Sequence, residues 1–532
     1  MNINDPDFNN LENNLKNDIK NSILEGSFGT IMGTLVGGAF LNGFALALGA
    51  NNFIIGILAS LPLLANLIQV IGSYIINKFG DSKKLCIIFL FVHRLFWVFI
   101  ILLPLVLFNT SLLDFRIWIF ILLLGTASIF ASLTNITWLT WMADLIPPNL
   151  RGRFFAKRNM IAQMAGMIFA VLAGNFIDIW KFNFPDSTTQ SYGFAILFAI
   201  GTLFGLICIY LLKKMNTLEI KITNTSNFFS QLKLPLLDFN FRFFIIFSIV
   251  WGFSVGIAGP FFSVYMIETL SIPFSIISLF GVAAGLSSIF GMRLLGKLTD
   301  VFGPKPLYMI CGLGASILPF LWIFAYPENY VIIWFINIIS GFCWAGIGIA
   351  ASSMIMNLAP SEHNSVYFAV FAAITGLSGA LAPIFGGYLG VLFQDITISL
   401  GIISISNLRI LFLISCISRF SSLLLLKPII IEDNVTVREI FNRYKYWSTT
   451  VPHNMYFSIT SYIGNLNRVM NRGFVNIERN VEKILSSSKN IIYLFGFRIK
   501  IINNKIDRRY EDFLDIIINK IIKKLIARKI NF

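Results

Sequence analysis

Between residues 27 and 427 the chain is a succession of apolar blocks about 20 residues long, divided by short polar turns. At 1.5 Å per residue, a helix of about 20 residues crosses roughly 30 Å of hydrocarbon. Within hydrocarbon every backbone N–H and C=O needs a partner inside the protein, so blocks of this length must be helices. The alternating ten-residue pattern of an outer-membrane barrel does not occur. Of the 532 residues, 56% are hydrophobic and 13% charged, and the mean hydropathy is +0.77. Soluble proteins carry about a quarter charged residues. The expected fold class is therefore an all-α membrane protein of about 12 transmembrane helices, at 27–47, 53–77, 85–108, 117–143, 159–178, 192–212, 243–267, 273–296, 307–325, 330–357, 365–393 and 407–427. The first 25 residues are polar and acid-rich, unlike a cleaved signal, so the first block is expected to remain as a helix.

The longest internal link, 213–242, contains Lys213, Lys214, Lys221 and Lys233 and follows the sixth helix. The expected organisation is a cytoplasmic N-terminal segment (1–26), a six-helix bundle (27–212), a cytoplasmic linker (213–242), a second six-helix bundle (243–427) and a basic cytoplasmic tail (428–532). Lys and Arg crowd the turns after the second, fourth, sixth and eighth helices: Lys78, Lys83 and Lys84; Arg151, Arg153, Lys157 and Arg158; the linker; Arg293, Lys297 and Lys305; the turn after the tenth (Glu362, His363) is neutral. Turns after odd-numbered helices hold little beyond Arg116 and Lys181. Positively charged turns stay on the cytoplasmic side, which places both termini there, in a multi-pass protein of the cell (inner) membrane.

Two internal echoes point to duplication. Asp144–Ala156 (DLIPPNLRGRFFA) aligns without a gap with Asn357–Ala369 (NLAPSEHNSVYFA), at the exits of the fourth and tenth helices. The turn SYIINKFGDSKK from Ser73 matches GKLTDVFGPK from Gly296, after the second and eighth. Parallel repeats are one transporter design.

The halves, the orientation and the pattern Gly296, Leu298, Asp300, Gly303, Lys305 together resemble the major facilitator superfamily. The stretch RGRFF, Arg151–Phe155, is similar to a bacterial subgroup of that superfamily. The resemblance implies secondary or facilitative transport of a small solute by alternating access. It also implies a cytoplasmic gate built from Lys78, Gly80, Lys83, Lys84, Asp144, Arg151, Arg153, Gly296, Asp300, Gly303 and Lys305. In such a gate Asp300 sits near the positive end of a neighbouring helix, Asp144 pairs with Arg151, and the basic residues meet carbonyls and acids. The first-half copy departs from the pattern, with Asn77 and Ser73 in place of Asp and Gly.

Polar groups inside spans are the default substrate-path candidates: Asn42, Asn66, Gln69, Arg94, Asn135, Trp138, Gln163, Trp251, Asn337 and Trp344. Arg94 lies nine residues into the third helix, beside His93. It could hold an anionic solute through its guanidinium fork or serve as a structural ion-pair partner, and His93 could relay protons. Trp138 follows Asn135 by three residues and shares its helix face. Arg419 is expected to snorkel toward the cytoplasm. Glu25, Asp178 and Glu268 are placed at helix ends, which leaves no carboxylate in mid-span and favours a uniporter, an exchanger, or coupling through His93 or Glu25. Gly29, Gly33 and Gly37 recur every four residues, as a pivot or as close packing. Gly379–Gly387 (GALAPIFGG) resembles the Gly–Pro motif of the family's exporters but lies in the other half, and Pro62, Pro260 and Pro383 are expected to bend their helices.

Cys86, Cys208, Cys311, Cys343 and Cys416 lack metal-ligand spacing and read as small buried hydrophobes. No phosphate-cradling loop, nucleophile–base pair or metal cluster occurs, so no enzyme activity, cofactor or metal is expected. The expected partners are a small-molecule solute, with or without a coupling ion, and the lipid bilayer; a monomer is expected. Positive-inside bias accounts for the net charge of +15 without nucleic acid. In the tail, Tyr510, Phe513, Leu514, Ile517, Ile521 and Leu525 recur at helical spacing, suited to the inner leaflet or to a partner. That tail also invites the alternative of a transporter-derived receptor or scaffold.

Overall fold

A long helix, α1 (Pro6–Leu35), starts well before the apolar block predicted at 27–47, and a short α2 (Gly38–Ala47) completes the first span. The break falls at Gly37 and Gly38, and Gly38 has φ +55°, a conformation that costs other residues energy. A computed structural model describes residues 6–107, 115–146, 148–216, 233–327, 329–360, 364–400, 403–406 and 408–430. Most of the linker (217–232) and the tail beyond residue 430, with its pattern at 508–528, lie outside the described residues.

The predicted helix 53–77 is two pieces, α3 (Asn52–Ala65) and α4 (Gln69–Phe79), joined by a tight turn at Asn66–Ile68. Pro62 removes one backbone donor and crowds the preceding turn, so the helix ends soon after it. Then follow α5 (Ser82–Leu107), α6 (Arg116–Leu145), α7 (Pro148–Asn183) and α8 (Ser187–Lys214). A single turn, α9 (Leu234–Leu237), precedes α10 (Phe239–Ala258), which stops before Pro260 and resumes as α11 (Phe261–Val264). The remainder is α12 (Phe274–Phe302), α13 (Pro304–Leu321), α14 (Val331–Leu358), α15 (Asn364–Leu392), a hairpin of β1 (Thr397–Leu400) and β2 (Ile403–Ser406), and α16 (Leu408–Leu423). α15 runs on through Pro383, where a break would have been equally natural. Among the described residues eleven helices are long and apolar enough to span a membrane, and α3 with its following turn is the shorter apolar helix beside them.

The packing makes two bundles of matching design. In the first, α1 lies against α7 and α8, and α5 against α6 and α8; in the second, α10 lies against α15 and α16, and α13 against α14 and α16. The bundles meet where α3 crosses α15 and where α7 crosses α12. These crossings are close. A Cβ on Gly56 would fall 2.2 Å from the Pro383 carbonyl oxygen, and one on Gly174 would fall 2.6 Å from that of Phe274.

The duplication reaches single bonds. Lys83 donates to the carbonyl oxygens of Lys213 (3.2 Å) and Met215, at the end of α8. Lys305 donates to those of Lys427 (3.1 Å) and Ile429 (2.7 Å), just past α16. The carboxylate of Asp18 accepts from the Asn216 backbone N–H at 3.2 Å, and Asn240 accepts from that of Ile430 at 3.1 Å. The last carbonyls of a helix lack intrahelical partners, and a cation there satisfies both the hydrogen bond and the dipole. Replacing Lys83 or Lys305 by Met is expected to destabilise the corresponding bundle by about 1–3 kcal/mol, read as a lower thermal midpoint of the purified protein with its helix content unchanged.

At the opposite end the bundles are tied to each other. Asp178 on α7 accepts from the backbone N–H groups of Phe274 (2.7 Å) and Ser275 (2.9 Å), capping the N-terminus of α12. Asn42 on α2 donates to Ser263 Oγ at 2.7 Å and to the Pro260 carbonyl at 3.4 Å, at the break in the seventh span.

Candidate functional site

Helix α1 places Glu25 three turns from its C-terminus, so this carboxylate lies inside the first span and not at the helix end the sequence suggested. It is 9% exposed. Arg158, nearly three turns into the unbroken α7, reaches it with Nη2 at 2.9 Å from Glu25 Oε2, and also donates through Nε to the Ser22 carbonyl at 3.2 Å. The guanidinium stacks on Trp138, its central carbon 4.3 Å from the ring centroid. A Cβ on Gly26 would fall 2.6 Å from that guanidinium, so glycine is what lets the arginine lie across α1.

Arg94 on α5 completes the cluster. It is 7% exposed, its Nη1 lies 2.9 Å from His93 Nδ1, and Trp97 Nε1 donates to His93 Nε2 at 3.0 Å. Gly205 gives it room: a Cβ there would fall 2.5 Å from Arg94 Nε. That Nε and the buried Nε1 of Trp138 make no hydrogen bond of good geometry, although Trp138 faces the Glu25 carboxylate and Arg94 the Cys208 thiol. Buried polar donors are normally well satisfied, so two poorly satisfied ones beside the same ion pair mark a place suited to a polar guest.

These side chains line an open cavity of about 420 Å³ within the first bundle, together with Asn135, Gly29 and Gly33. The charged groups there, two arginines and one carboxylate, leave it net positive. Gly33 also borders a second cavity of about 330 Å³ between the bundles, lined by Thr30, Thr34 and Gln163 on one side and by Ser278 and Gly281 of α12 on the other. A Cβ on Gly33 would meet no atom within 4 Å, so the glycine stripe here borders open space as well as packing.

The structure thus brings together Arg94, Asn135 and Trp138 in one cavity and puts Gln163 in its neighbour. It does not bring Asn66 and Gln69 there: they bond each other at 3.1 Å at the break in the second span, and Asn66 also accepts from Ser132 at 3.3 Å. Asn42 serves the tie to Ser263. Trp251 is buried among Phe247, Tyr308 and Trp344. Asn337 and Trp344 line a third cavity, in the second bundle. Arg419 lines that cavity too; it is 3% exposed and does not snorkel, because Nη1 is held at 3.0 Å by the Ala315 carbonyl of α13.

Of the gate residues, Gly80 and Gly303 take φ +73° and +83° at the ends of α4 and α12. Gly296 lies on α12, and Lys84 is in the first turn of α5, where its N–H donates to Asp81 at 2.9 Å. Arg151 donates to the Ile146 carbonyl at 3.0 Å and to that of Ala143, closing the C-terminus of α6. The side chains of Lys78, Asp144, Arg153 and Asp300 lie outside the described residues. Arg158 is the member of the cluster that the sequence did not single out, and Glu25, an alternative for ion coupling, is expected there at a helix end and not in the body of the span. The signal was the spacing Glu25, Gly29, Gly33, which sets the acid on the glycine face of a helix that begins earlier than its apolar block.

The family model described as the Major Facilitator Superfamily matches residues 26–383 and 242–429. Among solved structures, the chain is similar to a D-xylose–proton symporter, at 16% identity and TM-score 0.59, over 80% of this chain and 100% of that one. It is also similar to a variant of the nucleoside transporter NupG, at 15% identity and TM-score 0.58, over 77% of this chain and 99% of that one. A bacterial homologue of the iron transporter ferroportin in an inward-facing state matches at 13% identity and TM-score 0.56, over 79% of this chain and 98% of that one. At such identities these likenesses concern the fold. A class H tetracycline resistance protein of Pasteurella multocida is 30% identical over 121 residues, which is 23% of this chain and 30% of that protein's length.

Proposed function

Because the chain belongs to the Major Facilitator Superfamily, a family of membrane transporters of small solutes, we propose that its solute path runs through the cavity around Glu25, Arg94 and Arg158. The observation that carries this reading is a carboxylate–guanidinium pair at 2.9 Å inside a membrane span, beside a second buried arginine and an open volume of about 420 Å³. Ionisable groups within spans are costly and face solute or proton pathways. Net positive charge and two poorly satisfied donors favour a solute with an anionic or strongly accepting group. Asn135 and Trp138 would orient it, and Gln163 would receive it in the cavity between the bundles.

The ties at Asn42 and Asp178 close one end of the bundle interface, and the cavity lies toward the other, where the basic turns are. We read those turns as cytoplasmic, with both termini on that side of a cell (inner) membrane, the bundles as 27–212 and 243–427, and the carrier as a monomer. Alternating access would then open the Asn42 end as the gate residues around Lys83, Arg151, Asp300 and Lys305 close.

Purified protein in proteoliposomes, challenged with a panel of small solutes, tests this reading. Solute-dependent flux is expected, with Arg94→Ala raising the half-saturating concentration by about tenfold or more, the scale of one charged hydrogen bond. Folded protein that carries no member of a broad panel, or an Arg94→Ala variant with unaltered kinetics, would count against it.

A further inference from the structure

The second bundle contains a buried arginine of its own, without an acid. Arg419, on α16, is 3% exposed. Its Nη1 donates to the Ala315 carbonyl at 3.0 Å, while its Nε has no partner. It borders a cavity of about 230 Å³ whose walls come from the seventh, ninth, tenth and twelfth spans and contain no Asp or Glu. In the first bundle the analogous charge is offset by Glu25; here nothing in the cavity wall plays that role. A guanidinium inside an apolar bundle with one neutral carbonyl partner is under-compensated, since a buried charge is held by a counter-charge or by a full set of hydrogen bonds.

The remaining walls say what would fit. Phe262 and Trp322 pack at a 33° tilt with their centroids 5.0 Å apart, and Trp344 closes another side. Ser340 and Asn337 supply the other polar atoms, with Asn337 Nδ2 donating to the Ile333 carbonyl of its own helix at 2.9 Å. Flat aromatic walls, one planar cation and a volume just below the usual range of about 300–1,000 Å³ for ligand pockets suit a compact molecule with a flat apolar body.

We propose that this cavity binds a small organic carboxylate, one ring or a short branched chain in size, with its carboxylate on Arg419 and its apolar body against Phe262, Trp322 and Trp344. A carboxylate can accept from guanidinium donors in a common plane, which a neutral amide cannot match in charge. The site is separate from the Glu25 cavity and does not depend on the solute path proposed there.

The test is equilibrium dialysis of the full chain in detergent with radiolabelled benzoate. One saturable site per chain is expected, with benzamide a poor competitor. Arg419→Gln should weaken binding by about tenfold or more. Ser340→Leu, which fills the cavity and leaves the guanidinium in place, should abolish it. Lys214→Gln, which removes an exposed charge at the end of α8, should leave it intact. Absence of saturable binding by the wild type, equal competition by benzamide, undiminished binding by folded Arg419→Gln, full binding by Ser340→Leu, or loss of binding in Lys214→Gln would each overturn the proposal. If Arg419→Gln does not fold, the Ser340→Leu result decides alone.

Discussion

Replacing Arg158 by Met while Glu25 remains is expected to destabilise the protein by about 3–5 kcal/mol, because it strands a carboxylate that is largely removed from solvent. The same holds for Glu25→Leu, which strands Arg158 against Trp138 and the α1 backbone. Removing both together should restore most of that loss, since two charges that attract each other are also two charges that must be desolvated, and apolar replacements of similar volume avoid the cost. Thermal unfolding in detergent would show two low midpoints for the single variants and a recovered one for Glu25→Leu/Arg158→Met. Transport should be lost in all three, because stability needs the pair to be matched while the solute path needs it to be charged. A double variant that is stable and still transports would move the solute path elsewhere.

The second large effect is expected from fixing the closed end. Asn42 and Ser263 lie on different bundles with their polar atoms 2.7 Å apart. Cysteines at both positions, joined by a short bifunctional thiol reagent, should stop flux completely, and cleavage of the linker should restore it. Each single cysteine variant should transport with or without the reagent. The five native cysteines are all buried, so they should compete little for it. Full transport by the cross-linked protein would mean that this end need not open.

Helix number and bundle pairing were legible because lipid leaves backbone groups only helices or a closed barrel, and a span is simply a long apolar block without a barrel's alternation. What hydropathy could not show is where a helix begins once it leaves hydrocarbon. α1 extends back to Pro6 through a polar sequence, which carries Glu25 from a supposed end into the body of a helix. The same blindness hid Arg158, counted as one of several basic residues in a turn although α7 already starts at Pro148. Asn135 and Trp138 were legible as one face because three residues is nearly one turn. Asn66, Gln69 and Trp251 were not separable from them by sequence, because a polar or aromatic group that bonds a neighbour looks the same in a sequence as one that lines a path. Arg419 was misplaced for a related reason: a long side chain near a helix end can snorkel, and only the packing of α13 shows that this one finds a carbonyl inside the bundle.

The most direct measurement concerns Asn135, which borders the cavity beside Trp138. With cysteine in its place, a membrane-impermeant thiol reagent should modify it from the face that holds Lys83 and Lys305, and a transported solute should slow the reaction. Modification solely from the other face, or none from either face in a folded and active protein, would contradict a solute path through this bundle.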